Sequence, residues 1–229
     1  MRILALVTDA FGGHGGIAQY NRHFLTALVG RAVPAGIKAD PAAHEVVALP
    51  RLIPKPEEPL PKNLTWLRSG LGGKVRYFLA LARMLATDRR YDTIYCGHIN
   101  LLPAAVFARW LTGAKLVLQI HGIDAWQPTR SALANRLAAR VDLCLAVSRI
   151  TRRRFLAWAN LAPHRCRVLP NTIPDGVFSP GSKNPELLAR YGLNDDVESN
   201  VGKNHDGDVG RHPHAAVFNF ISPSPCGRG

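Results

Sequence analysis

Ile3-Leu4-Ala5-Leu6-Val7, then Thr8-Asp9-Ala10-Phe11, then Gly12-Gly13-His14-Gly15-Gly16: this run decides the fold. Five consecutive apolar residues predict a buried strand, and the glycines predict a tight turn where backbone can approach a ligand closely. Ile17, Tyr20, Phe24, Leu25 and Leu28 then recur on one helical face. Strand, glycine turn and helix in that order open a Rossmann-like α/β layer. The helix start offers unpaired N–H groups and a partial positive charge, a suitable place for a phosphate-bearing ligand.

Gly13-His14-Gly15-Gly16-Ile17-Ala18 also fits the dinucleotide fingerprint G-x-G-x-x-G/A. That fingerprint needs an acid at the end of the second strand to bind the ribose. Glu45-Val46-Val47-Ala48-Leu49 ends instead in Pro50. NAD is therefore not the expected ligand.

Outward from this unit the chain alternates. Short strands are expected at Glu45–Leu49, Asn63–Leu67, Asp92–Cys96, Lys115–Ile120, Val141–Val147 and Arg165–Leu169. A helix over about Gly73–Asp88 is expected to carry Val75, Phe78, Leu79, Ala82 and Leu85 inward, with Arg76, Arg83, Arg89 and Arg90 on its solvated side. Leu102, Val106 and Trp110 mark a second such face, stopped by Gly113. Further helices are expected at Ser131–Arg140 and, capped by Ser148, at Arg149–Leu161. Strands alternating with helices imply a doubly wound, mostly parallel sheet, in which ligands bind beyond the carboxyl ends of the strands. The polar residues at those ends are Asp9, His98 with Asn100, His121 with Asp124, Ser148 and Asn171.

Composition limits the function classes. The chain has 229 residues, 47% of them apolar, enough for a core, and a net charge of +13 that favours anionic partners. Asp9 interrupts the apolar start before any cleavage site, so no signal peptide is expected; nor is a membrane span. Cys96, Cys144, Cys166 and Cys226 lack metal-ligand spacing, and no metal site is expected. A reduced, cytoplasmic protein is the expectation. No nucleic-acid motif or aromatic platform accompanies the charge, so nucleic acid is not an expected partner. Arg149, Arg152, Arg153 and Arg154 form a basic run that could instead face an anionic membrane.

Taken together, these segments resemble the N-terminal half of a family 4, retaining, GT-B glycosyltransferase. The resemblance rests on Gly12–Ala18, on Leu118-Gln119-Ile120-His121-Gly122-Ile123-Asp124, on Val147-Ser148, and on Val168-Leu169-Pro170-Asn171-Thr172-Ile173-Pro174-Asp175-Gly176-Val177-Phe178. Thr172 and Pro174 depart from the usual Pro-Asn-Gly-Val/Ile-Asp ending. The resemblance implies transfer of a sugar from a nucleotide-sugar co-substrate, without a separate cofactor, to a sugar or lipid-linked acceptor.

It further implies that Gly15 and Gly16 face the donor diphosphate, that His121 and Asp124 form the catalytic pair, and that Asp9, Tyr20, Asn21, His98 and Asn100 surround the acceptor. The implied organisation is a Rossmann-like domain over 1–180, a linker over 181–193, and an irregular or disordered tail over 194–229. His205, His212 and His214 in that tail are expected to be merely solvated. The donor-binding half is expected to be missing, leaving the chain impaired or inactive by itself. The rival expectation is a non-catalytic module that binds a phosphorylated or lipid-linked acceptor or an anionic membrane surface.

Overall fold

Seven parallel strands lie in the order β3-β2-β1-β4-β5-β6-β7: β1 Arg2–Val7, β2 Glu45–Pro50, β3 Leu64–Trp66, β4 Thr93–Cys96, β5 Lys115–Ile120, β6 Leu143–Ala146 and β7 Cys166–Val168. The computed structural model describes residues 1–30, 44–52, 56, 59–172 and 184–192. Helix α1 (Gly16–Val29) follows β1, and α2 (Lys74–Thr87) joins β3 to β4. Then α3 (Leu102–Thr112), α4 (Ala132–Leu137) and α5 (Arg149–Leu156) follow β4, β5 and β6 in turn. The chain divides into two compact units between Asn171 and Thr172. In the second, the described element is α6 (Pro185–Tyr191), whose Glu186 amide donates to Asn184 Oδ1 at 2.9 Å. The expected tail beyond residue 193, with its three histidines and Cys226, lies outside the described residues.

The strands are apolar at nearly every position because helices cover both faces of a parallel sheet. On one face, Ile3, Ala5 and Val7 of β1 pack with Tyr20, Phe24, Leu25 and Leu28 of α1. On the other, Leu4 and Leu6 pack with residues of α2, α3 and α5, including Leu81, Leu102 and Phe155. The chain therefore leaves β1 over one face and leaves β4 over the opposite face. Adjacent strands whose connections depart to opposite sides make the switch point of a doubly wound sheet, and a crevice opens there at their carboxyl ends. The amino edge is tied down instead: Arg2 pairs with Asp88 and with Glu45, and its amide donates to Asp92 Oδ2 at 2.7 Å.

Two helix faces differ from the sequence-based expectation. On α2 the buried residues are Tyr77, Leu81 and Leu85, whereas Val75, Phe78 and Leu79 are exposed. Tyr77 decides the register: its hydroxyl donates to Leu49 O at 2.9 Å, satisfying a polar atom that burial would otherwise penalise. On α3 the inward residues are Leu102, Ala104, Ala105 and Ala108, while Trp110 is exposed and Val106 half-buried. Small side chains let this helix lie close to the sheet, and Trp110 turns outward. Helix α5 is also shorter than expected, ending at Leu156.

Candidate active site

At the switch point the carboxyl ends of β1, β4 and β5 bring Asp9, His98 and His121 together. The elbow after β1 has little freedom at its base: Gly13 N donates to Ala10 O, and Arg22 donates to Gly13 O at 3.1 Å. At its tip, Gly15 takes the N-cap position with φ +95°, a conformation that strains any residue with a Cβ. A Cβ built on Gly15 or Gly16 would meet nothing within 4 Å. No side chain caps the helix and no acid occupies its first turn. The first amides of α1 therefore remain available to an anion.

A buried hydrogen-bond chain fixes this elbow to β4. Tyr95 donates its hydroxyl to Asn21 Oδ1 at 3.0 Å, and Asn21 Nδ2 donates to Asp9 O at 3.0 Å. Gly97 sits against this chain, and a Cβ there would lie 2.9 Å from Asn21 Oδ1 and 3.0 Å from Val7. Asn21 is fully buried. It therefore positions the site from beneath rather than lining it, as the sequence reading had expected of an acceptor residue. Tyr20 is also buried: its hydroxyl donates to Gln119 Oε1 at 3.0 Å, and its ring meets the His121 ring edge-on at 5.1 Å. Burial pushes the Tyr20 phenol well above its ordinary range, so it stays a neutral donor.

The two histidines have assigned roles. His121 Nε2 lies 2.9 Å from Gly97 O. A carbonyl only accepts, so Nε2 carries the proton and Nδ1 is left as an acceptor. His121 N also donates to Asp124 Oδ2 at 3.4 Å, which anchors the turn Ile123–Ala125. His98 Nδ1 accepts from Asn100 N at 3.1 Å, leaving its Nε2–H as a donor. Burial depresses both imidazole pKa values, with Asp124 and Asp9 opposing that shift. Both rings are therefore neutral near pH 7, suited to hydrogen-bonding a polyhydroxylated ligand.

Arg51 was missed in the sequence. Its amide donates to Val7 O and Thr8 O at the end of β1, and its charge acts on His98. Its Nε is buried with no hydrogen-bond partner among the described residues. The signal available was its place directly after β2, next to the first strand of the fold. Helix α5 stands apart from these residues. Arg152 donates to Cys166 O at 2.7 Å and Pro163 O at 2.9 Å, and Arg154 lies 4.2 Å over the Trp126 ring. Arg149 and Arg153, with Arg152, line a cavity of about 630 Å³ beside Pro163 and Val168, which includes none of Asp9, His98 and His121.

Two solved structures share this architecture. Anabaena HepE, solved with UDP and glucose, superposes with a TM-score of 0.51 at 19% identity, covering 84% of this chain and 50% of that one. The lipopolysaccharide outer core galactosyltransferase WaaB, in its apo form, gives a TM-score of 0.50 at 15% identity, covering 77% of this chain and 47% of that one. The chain thus spans about half the length of each. No curated protein matches it. The model of Glycosyltransferase Family 4 matches residues 14–176, from the glycine elbow through the last strand, and the chain belongs to that family.

Proposed function

We propose that this chain is the acceptor-side half of a nucleotide-sugar glycosyltransferase that acts with retention of the anomeric configuration. One observation carries the reading: a capless helix start, a neutral imidazole and a second neutral imidazole meet at the switch point of the sheet. In this reading the amides at Gly15 and Gly16 face the donor diphosphate and stabilise charge as it leaves. His121 hydrogen-bonds the transferred sugar through Nδ1, and Asp124 positions that turn. His98, Asn100 and Asp9 surround the acceptor, with Tyr20 and Asn21 holding them from below. Orienting the bound donor and acceptor against each other supplies much of the rate. The remaining donor contacts come from across the crevice, from a partner half of the kind present in HepE and WaaB. The setting is the cytoplasm.

HepE was solved with UDP and glucose, which makes a uridine diphosphate sugar the first donor to test. Equilibrium titration of UDP-glucose into the full chain, beside His121→Ala and Gly16→Pro, tests the reading. Saturable binding weakened about tenfold by either substitution is expected, corresponding to about 1.4 kcal/mol for one lost polar contact. No saturable binding, or binding that neither substitution weakens, contradicts it.

A further inference from the structure

Arg51 brings to the crevice a cation that its neighbours leave unneutralised. Its backbone is pinned where β2 ends: its amide donates to Val7 O at 3.1 Å, and the Leu52 amide donates to Thr8 O at 2.9 Å. The side chain is half-buried, and its charge acts on Tyr77 of α2 and on His98 at the end of β4. The guanidinium takes part in none of the ion pairs among the described residues, and its buried Nε has no hydrogen-bond partner there. The two acids of the crevice are engaged elsewhere. Asp9 Oδ1 accepts from Thr8 Oγ1 at 3.1 Å, and Asp124 Oδ2 accepts from His121 N at 3.4 Å. Buried polar groups are nearly always satisfied, so an arginine left in this state points to a ligand that completes it.

We propose that Arg51 determines acceptor specificity: it selects a sugar that carries an oxyanion, a carboxylate or a phosphate, and binds that group beside His98. The proposal rests on the glycosyltransferase reading above and adds the charge of its acceptor. A guanidinium presents its N–H groups as a rigid planar fork that matches two oxygens of a carboxylate or phosphate. With the oxyanion held there, the neutral His98 ring keeps its Nε2–H for a hydroxyl of the same sugar. A neutral sugar would cover the guanidinium and leave it unpaired, which is how a site built around a polar group rejects the analogue that lacks its partner.

NMR titration of the full chain with glucose, glucuronate and glucose 6-phosphate tests it, following the Arg51 Nε–H, the His98 ring and the amides of Gly15 and Gly16. A charged sugar should shift the Arg51 Nε–H saturably and glucose should not; the tighter of the two charged sugars identifies the oxyanion. This contrast needs no variant. Arg51→Gln should weaken the preferred charged sugar about tenfold, and Arg51→Lys, which keeps the charge without the fork, should recover part of the loss. His98 supplies a readout that a merely structural arginine would not move. Beyond burial, Asp124 raises its pKa, Arg51 lowers it and Asp9 raises it. A charged sugar that neutralises Arg51 should therefore raise the His98 pKa above its value with glucose. No saturable shift with any sugar, equal binding of glucose and the charged sugars, or movement of the Gly15 and Gly16 amides without Arg51 would overturn the proposal. So would an Arg51→Gln variant that binds the charged sugars as the wild type does. Failure of the donor reading is separate, since it shows as absent UDP-glucose binding whatever these sugars do.

Discussion

Helices α1 and α2 begin almost identically and end up doing different work. Each has 14 residues. Each starts at a glycine N-cap with positive φ, +95° at Gly15 and +106° at Gly73, with no side-chain cap and no acid in its first turn. Yet α1 buries eight residues, including Asn21, while α2 buries three and turns Val75, Phe78 and Leu79 to solvent. Position explains the difference. Helix α1 leaves β1 at the switch point, beside β4, so its start shares a crevice with His98 and His121. Helix α2 follows β3, the edge strand of the sheet, and not the switch point. In the proposed reading, a glycine elbow serves as a ligand site only where topology places other polar groups against it.

The comparison can be broken most forcefully on α2 itself. Leu81→Ala should cost about 2–5 kcal/mol, because it empties a fully buried position under the helix, whereas Leu79→Ala on the outer face should stay within about 0.5 kcal/mol. Chemical denaturation of the two variants checks this; equal losses would restore the face expected from sequence. Asn21→Leu on α1 should cost about 1–3 kcal/mol, since it strands the Tyr95 hydroxyl and the Asp9 carbonyl without their partner. A smaller loss follows at the elbows: Gly15→Ala and Gly73→Ala should each cost about 1–2 kcal/mol, because both positions require positive φ. These two variants should be alike in melting temperature and unlike in nucleotide-sugar binding, which only Gly15→Ala should impair.

The smallest effect is a pH dependence confined to the crevice. Burial lowers the folded pKa of His98 and His121, so the unfolded chain binds more protons than the folded one as pH drops below about 6.5. Their contribution to stability is complete above that value and is lost as pH falls toward the depressed folded pKa. Melting temperature should therefore decline between pH 7 and pH 5, and His98→Gln/His121→Gln should flatten that slope.

Much of this architecture was legible in the sequence. Parallel strands covered on both faces read as unbroken apolar runs, and Lys115–Ile120 was read with the bounds the structure has. The elbow and the strand-end histidines followed from the same alternation. The helix faces did not. Counting apolar residues favours the largest side chains as the inward ones, but in α3 the sheet accepts Ala104, Ala105 and Ala108, and in α2 the hydroxyl of Tyr77 sets the rotation. The support beneath the site was equally hidden. Tyr95 and Asn21 are 74 residues apart, and Tyr20 and Gln119 are 99 apart, so no local pattern announces either bond.

The central claim is that the α1 elbow, and not its counterpart on α2, receives the diphosphate of a nucleotide-sugar. Amide chemical shifts of the full chain during titration with UDP test it most directly, because the molecule carries its own control. The amides of Gly15, Gly16 and Ile17 should move saturably while those of Gly73, Lys74 and Val75 stay in place. Equal movement at both elbows, or movement at the second alone, would contradict the account.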